Sequence, residues 1–258
     1  MNFYYFYTFK NYVMNFFFNL GRYILLMRRV FSKPDDSREF FKAIGKEIVF
    51  IGYNSLLIVF VISFFIGAVI TIQTAYNMTN PILPTYLVGL GTRDSMILEF
   101  SSTIVAIVLA GKVGSSIASQ IGTMRVTEQI DALEIMGVNS ASFLISPKII
   151  ASLCTFPILC LLSMVVGIFG GWIAGEFTGA VSSDQYIYGI QYMFIPYYMV
   201  YSVIKSVFFG VIITSISSYF GYFTTGGALE VGQSSTKAVV NSTLVVLLFN
   251  LILTSILL

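Results

Sequence analysis

The sequence predicts an all-α integral membrane protein, with an N-terminal interfacial helix, five transmembrane helices and a short amphipathic helix between the second and third. Its 258 residues are 57% hydrophobic and only 10% charged, whereas soluble domains carry roughly 25% charged residues. Mean hydropathy is +0.86, which is too apolar for the side chains to be hidden in one soluble core. The long apolar runs do not alternate every second residue, so they predict helices and not the strands of a membrane barrel.

Residues 1–47 form the predicted N-terminal region. Phe and Tyr fill Met1 to Lys10, and no basic stretch precedes an apolar run, so a cleavable signal is not expected. Aromatic and basic side chains are mixed through residues 1–30, which favours a helix that lies in the membrane interface. An aromatic helix packed on the neighbouring spans explains the same composition, and both arrangements can hold at once.

Gaps between charged residues predict five spans within a transmembrane domain of residues 48–258. A bilayer core of about 30 Å needs about 20 helical residues, and each gap is long enough. The second span contains Glu99 and Lys112, the fourth contains Lys205, and Pro157 is expected to kink or loosen the third. Polar residues at 77–85 and at 182–184 indicate external loops. The spans are predicted at 48–72, 95–116, 149–175, 196–219 and 238–258.

Lysine and arginine predict the orientation, because they accumulate on the cytoplasmic side of membrane proteins. Eight precede the first span, three lie in or beside the loop between the second and third, and Lys237 precedes the fifth. The opposite loops hold only Arg93. The N-terminus is therefore expected in the cytoplasm and the C-terminus outside. The twelve residues on the predicted cytoplasmic side are Lys10, Arg22, Arg28, Arg29, Lys33, Arg38, Lys42, Lys46, Lys112, Arg125, Lys148 and Lys237.

The cytoplasmic loop between the second and third spans predicts an amphipathic helix of about four turns over 123–136. On a helical wheel one face is apolar and the other acidic, and Gly137 suits a left-handed cap at the helix end. A surface helix that only fills the loop fits this pattern as well. The apolar face consists of Val126, Ile130, Leu133 and Met136, and the charged face of Glu128, Asp131 and Glu134 with Arg125 beside them.

Several kinds of chemistry are not expected of this chain. It has no histidine, which is the commonest general base and metal ligand. Cys154 and Cys160 lie in an apolar run and are expected to be buried thiols, not a zinc site. No GxxxxGK[ST] phosphate loop occurs, so the chain should not hydrolyse nucleotide itself. We therefore predict no catalytic residue, metal site or cofactor in this chain, and no nucleic-acid partner.

Two stripes of small residues predict close helix packing, because small side chains at a spacing of four let membrane helices approach each other. The packing partner is another helix of the same subunit or a helix of a second subunit, and the pattern allows either. The stripes are Gly114, Ala118 and Gly122, and Gly167, Gly171 and Gly175.

Glu99 and Lys205 are charges inside predicted spans, and such charges are costly and often functional. Both are expected toward the outer leaflet, where they would face a polar, headgroup-lined cavity or pair with each other. Alternatively, Lys205 extends to the outer interface and Glu99 merely marks a helix end. Gln73, near the end of the first span, is a third polar candidate for a substrate path.

One string is far more specific than these patterns. Gly111 to Ser140, GKVGSSIASQIGTMRVTEQIDALEIMGVNS, closely resembles the signature of the MlaE/YrbE permease family. VVGIFGGWIAGE at 165–176 and the residues 145–147, 204–207, 221–222, 226–227 and 237–240 resemble further family segments. The likeness covers most of 48–258. It departs at Leu98-Glu99 and Ser101-Ser102, where relatives often carry Arg-Glu and Gly-Pro.

The resemblance implies the permease subunit of a lipid ABC transporter in the bacterial inner membrane. Its implied partners are an ATPase subunit that binds the ATP, an MCE-domain lipid-binding protein, a second copy of the chain and membrane phospholipids. The helix at 123–136 would be the coupling helix, with Arg125, Glu128, Asp131 and Glu134 as contact or support residues. Neither the transport direction nor the lipid species follows from it.

Two other functions fit parts of the sequence. An ion-coupled secondary carrier for a hydrophobic substrate would also be apolar, but carriers usually show several intramembrane acids and matching halves. A membrane enzyme acting on lipids would need convergent acid–base or nucleophilic groups, and few polar groups lie in the predicted spans.

Overall fold

The computed structural model describes residues 2–32, 37–78 and 84–258, and every regular element in these ranges is helical. A 3-10 turn, Tyr53–Ser55, lies between α2 and α3, and two π-helical segments, Met96–Ile104 and Ala110–Gly114, lie between α4 and α6. Met1, Lys33 and residues 79–83 of the predicted external loop fall outside the described residues. The helices are α1 (Asn2–Val30), α2 (Ser37–Ile51), α3 (Leu56–Asn77), α4 (Tyr86–Ser95), α5 (Val105–Leu109), α6 (Ser115–Val126), α7 (Gln129–Ile135), α8 (Ser140–Thr178), α9 (Ser183–Gln191), α10 (Tyr197–Tyr222) and α11 (Ala228–Leu257).

Five helical stretches in the described part of the chain are long and apolar enough to cross a membrane, which confirms the predicted number of spans. They are longer than the gaps between charges, because a helix continues through polar residues that flank the membrane core. Pro147 and Pro157 both lie inside α8 without interrupting it. The five stretches are Arg38–Asn77, Tyr86–Val126, Ser140–Thr178, Tyr197–Tyr222 and Ala228–Leu257.

Helices α3 and α8 form the most extensive contact of the bundle. Gly67 of α3 lies directly against the backbone of Gly167, so that a methyl group on Gly67 would overlap the Gly167 carbonyl oxygen. Ser63 and Ser163 form a hydrogen bond of 2.7 Å across the same contact. Small residues thus let two backbones touch inside the bundle.

The other small-residue stripe also packs within the chain. Gly114 lies against Ser217 and Ile213 of α10, and Gly122 lies against Thr224 and Val231. Ala118 is fully buried. Both stripes therefore pack against other helices of the same chain, and a contribution to a subunit interface stays a prediction.

The second span is not a plain α-helix. Met96–Ile104, which includes Glu99, and Ala110–Gly114, which includes Lys112, are π-helical. A π-helical segment adds a residue to the turn and is often found at functional sites. Residue periodicity does not reveal such local widening, so the sequence predicted a span over 95–116 without its π-helical segments.

The predicted single helix over 123–136 is wrong. Helix α6 ends at Val126, Glu128 has a left-handed φ of 59°, and α7 runs only from Gln129 to Ile135. Tertiary contacts favour the bend, since Ile130 is fully buried in the main core of the bundle. Met136, expected on the apolar face, is 69% exposed. Gly137 has a φ of 81° and confirms the predicted left-handed cap.

The N-terminal helix α1 packs on the bundle through its second half. Tyr23 donates a hydrogen bond of 2.9 Å to Ser215, and Tyr219 donates one of 3.3 Å to Asn19. Asn139, at the start of α8, donates a hydrogen bond of 3.1 Å to the Arg29 carbonyl oxygen. Packing on neighbouring helices is thus observed, and an additional position in the membrane interface stays a prediction.

Candidate functional site

The charges of Glu99 and Lys205 meet inside the bundle. Lys205 on α10 places its Nζ 3.0 Å from Oε1 of Glu99 on the π-helical segment. The Lys205 side chain is completely buried, whereas the Glu99 side chain is 40% exposed. The alternative in which Lys205 extends to the interface is therefore wrong, and the pairing alternative is observed. Their role in a substrate path stays a prediction.

Hydroxyl and amide groups from three helices complete this pair. Thr103 donates to Glu99 Oε2 at 3.1 Å, and Asn250 of α11 donates to the same oxygen at 3.1 Å. Lys205 also donates to the Tyr201 hydroxyl at 3.1 Å and to Thr254 Oγ1 at 3.4 Å. We call these residues and the pair the Glu99 cluster: Glu99, Thr103, Tyr201, Lys205, Asn250 and Thr254.

The Glu99 cluster places an ion pair within two of the membrane-spanning stretches. Lys205 lies about nine residues into its span, or about 13 Å along a helix axis. A half-exposed carboxylate at this depth can accept hydrogen bonds from an ammonium or hydroxyl group of a bound molecule, and its own charge is balanced by Lys205. The cluster thus combines hydrogen-bond donors and acceptors, which can bind a polar group.

Sequence reasoning found the two charges but missed their polar partners. Asn250 and Thr254 lie four residues apart in α11, on one face of an otherwise apolar helix segment. This polar pair at helical spacing was the available signal. Gln73 is exposed on α3, and the structure does not bring it into the Glu99 cluster.

A second polar centre holds α7 against the bundle. Glu134 Oε1 accepts hydrogen bonds of 2.9 Å from Arg29 of α1, Ser140 of α8 and Tyr222 of α10. These donors, with Arg29 the strongest, hold the pKa of Glu134 below its usual value, and Glu134 in turn raises the pKa of Arg29. Glu134 therefore connects α7 to three other helices.

Of the other residues predicted in this segment, Arg125 and Asp131 contact each other, whereas Glu128 is exposed to solvent. Arg125 and Asp131 form an ion pair of 2.6 Å across the bend between α6 and α7. Glu128 is exposed at the bend. Ile135 and Met136, which sequence reasoning did not single out as contact residues, are 86% and 69% exposed. We call Ile135 and Met136 the apolar tip.

Two further cationic side chains, Lys148 and Arg93, form buried hydrogen bonds between helices. Lys148 of α8 is buried and donates hydrogen bonds to Glu47 of α2 at 2.5 Å and to Gln120 of α6 at 2.7 Å. Arg93 of α4 is also buried and donates two bonds of 2.7 Å to the carbonyl oxygens of Ile190 and Tyr192. The sequence interpretation used both only as markers of orientation, but each ties helices together.

Comparison with known proteins gives a consistent result. A family model described as "Permease MlaE" matches residues 44–256. A probable ABC transporter permease protein of Rickettsia bellii is 36% identical over 215 residues, which cover 83% of each chain. The "Intermembrane phospholipid transport system permease protein MlaE" of Haemophilus influenzae is 32% identical over 246 residues, which cover 95% of this chain and 94% of that relative. A probable ABC transporter permease protein of Synechocystis is 36% identical over 203 residues, covering 79% of this chain and 77% of that relative.

Proposed function

The chain belongs to the MlaE permease family, and on this premise we propose that it is the transmembrane subunit of an ABC transporter that moves phospholipids and is driven by a separate ATPase. The observation that carries the proposal is the match over nearly the whole membrane domain to a relative named as a phospholipid transport permease. The chain itself contains no phosphate-loop motif, which agrees with an ATPase on another polypeptide.

The segment around α7 is the proposed docking site for the ATPase. Its apolar tip exposes two large hydrophobic side chains beside the exposed Glu128, a combination suited to a groove on a soluble partner. Arg125 and Asp131 support the bend, and Glu134 links α7 to α1, α8 and α10. Movement of the ATPase would then be passed to the bundle through Glu134.

The Glu99 cluster is the proposed contact for the polar part of the lipid. Its carboxylate is half-exposed while its positive partner is buried, so the surface offered to a ligand is a hydrogen-bond acceptor for the ammonium or hydroxyl groups of a lipid headgroup. Gln73 remains a candidate for the path at the end of the first span, on a helix face that is exposed in a single chain.

The assembly that we propose contains two copies of this chain, the ATPase and an MCE-domain lipid-binding protein. It lies in the bacterial inner membrane, with the N-terminus of this chain in the cytoplasm and its C-terminus outside. The distribution of lysine and arginine and the family membership support this arrangement.

Co-purification and lipid transfer test the proposal. The chain is expressed with the ATPase of its own transporter, and transfer of labelled phospholipid from proteoliposomes to the MCE-domain protein is measured with and without ATP. We expect transfer only with ATP. Ile135→Asp should reduce co-purification of the ATPase about tenfold or more, because a charge at the tip must be desolvated in the contact.

Phe177→Asp is the matched control, since Phe177 is equally exposed but lies at the other end of α8 from the apolar tip. This variant should retain the ATPase. Transfer that proceeds without ATPase and follows an ion gradient would instead support the ion-coupled carrier.

A further inference from the structure

A groove of about 850 Å³ lies between the second half of α1 and the α10–α11 pair. It is separate from the Glu99 cluster. Thr224, at one end of the groove, follows Lys205 by 19 residues, which corresponds to about 28 Å of helical rise. The groove is also at the end of the bundle where Tyr222 contacts Glu134, so its polar end is on the same side of the molecule as α7.

The polar end of the groove carries two cations. The Arg22 guanidinium lies 4.0 Å from the centre of the Phe223 ring, which fixes its position beside the groove. Neither Arg22 nor Lys237 forms an ion pair with a carboxylate in the part of the chain that the structure describes. The acid at this end, Glu230, is engaged by the backbone N–H of Gly227 at 2.7 Å and caps α11.

The other end of the groove is apolar. It is lined by Ile212 and Ile216 of α10 and by Val245 and Phe249 of α11. From Lys237 to Phe249 the helix rises by about 18 Å, close to half of the roughly 30 Å thickness of a bilayer core. The groove therefore has the length and polarity of one leaflet, with charge at the surface and hydrocarbon below.

We propose that this groove binds one anionic phospholipid of the leaflet on the α7 side. Its phosphate lies between Arg22 and Lys237, and an acyl chain follows Ile216 and Val245 toward the middle of the membrane. Arginine suits the phosphate because its planar group donates paired hydrogen bonds, and lysine adds a point charge. The lipid also fills the space between α1 and α11, so it completes the attachment of α1 to the bundle.

A second copy of this chain fits the groove less well. The outward face of α11 next to the groove exposes Val240, Leu244, Leu248 and Leu251, an apolar stripe without charge that suits a protein contact better than a groove with two cations. This site does not depend on the proposed transport function, because none of the residues that line the groove belongs to the Glu99 cluster and its charged end is about 28 Å of helical rise from Lys205.

Lipid retention tests the proposal. The full chain is purified from membranes, and the bound phospholipids are counted by native mass spectrometry after exchange into vesicles of phosphatidylglycerol and phosphatidylcholine. We expect one retained phosphatidylglycerol per chain. The double variant Arg22→Gln/Lys237→Gln should lower its retention about tenfold, because each cation near an anionic headgroup contributes to binding.

The matched control is Arg28→Gln/Lys46→Gln, which removes the same charge from exposed positions outside the groove. It should retain the lipid like the wild type. Equal losses in both double variants, or equal retention of phosphatidylcholine, would overturn the proposal. Displacement of the lipid by millimolar inorganic phosphate would also overturn it, since a site for free phosphate needs no acyl chain.

A second measurement does not depend on removing charge. Val245→Trp is introduced with Trp172→Phe, so that the only tryptophan lies in the apolar part of the groove. Phosphatidylglycerol with brominated acyl chains should quench its fluorescence more strongly than brominated phosphatidylcholine. Equal quenching by the two lipids would contradict the assignment. A cross-linking experiment adds a second test, in which Asn241→Cys is oxidised in a variant without Cys154 and Cys160. A disulfide between two chains would show that a second copy occupies the groove, and it would also contradict the assignment.

Discussion

The Lys205 side chain has no exposed surface, and it is held by groups from three separate parts of the chain. A buried ion pair seldom adds net stability, because the desolvation of both charges offsets their attraction. Breaking such a pair is costly, however, since one charge is left without compensation. At the residue scale, the pair is therefore expected to specify the site and not to stabilise the bundle.

The first prediction separates these two effects. Glu99→Leu leaves Lys205 buried and unpaired and should lower the free energy of unfolding by roughly 3–5 kcal/mol, and Lys205→Met should lower it by less because Glu99 is 40% exposed. The double variant should regain most of the stability, but phospholipid transfer should fall about tenfold or more in all three. Thermal unfolding in detergent and the transfer assay are the measurements.

Lys46→Met, at an exposed position, serves as the control and should change neither quantity. A double variant that transfers lipid like the wild type would show that the Glu99 cluster has only a structural role.

The second prediction concerns Glu134. Its pKa is lowered from the usual 4.5 in the folded chain, mainly because Arg29 donates a hydrogen bond to the carboxylate. A lowered folded-state pKa stabilises the fold above the pKa of the unfolded chain, and this contribution is lost as the pH falls through the lowered value. Wild type should therefore have a higher Tm than Glu134→Gln at neutral pH, and the difference should shrink below pH 4.5.

Glu128→Gln is the matched control, because Glu128 belongs to the same segment but is exposed at the bend. Its Tm difference from the wild type should stay small at every pH. A Glu134→Gln variant with the wild-type Tm at neutral pH would contradict the role assigned to this carboxylate.

At the scale of helices, contact between backbones decides how α3 and α8 fit. Hydropathy identified both helices, and the spacing of small residues identified the stripe on α8. Neither pattern identified Gly67 as the residue on the facing helix. The reason is that a stripe shows which face can approach closely, whereas the partner depends on how all the helices pack. The π-helical segment around Glu99 escaped sequence reasoning for a similar reason, since its extra residue per turn leaves composition unchanged.

The third prediction tests the α3–α8 contact. Gly67→Ala should destabilise the chain by roughly 3 kcal/mol or more, because the added methyl group meets backbone that cannot move like a flexible side chain. The Tm and the yield of folded protein measure this effect.

Gly232→Ala is the matched control in α11, where nothing lies within 4 Å of the added methyl group. It should be neutral or stabilising by less than about 1 kcal/mol, as expected for alanine in a helix. Equal Tm values for the two variants would mean that α3 and α8 are further apart than the structure indicates.

At the scale of the whole molecule, the two polar centres lie far apart along the bundle. Tyr222 of the Glu134 centre and Lys205 of the Glu99 cluster are both on α10, 17 residues or about 25 Å of helical rise from each other. The transport mechanism that we propose requires this separation, because the ATPase must act on one side of the membrane and the lipid must be handed over on the other.

The fourth prediction is the orientation of the chain. In a variant without Cys154 and Cys160, a cysteine at Ile135→Cys should react with an impermeant thiol reagent only after the cytoplasmic side is opened. Ser182→Cys, beyond the other end of α8, should react in intact cells whose outer membrane is permeabilised. The reverse pattern would place α7 outside and remove the proposed contact with the ATPase.

Local properties of the sequence determined the helical class, the five spans, the small-residue stripes and the left-handed cap at Gly137, because each depends on neighbouring residues and their hydropathy. The tertiary structure decided that Glu99 meets Lys205 from 106 positions away, that Asn250 and Thr254 join them, and that the chain bends at Glu128. These features depend on contacts between helices distant in the chain. Such contacts select one partner among several that hydropathy alone leaves equivalent.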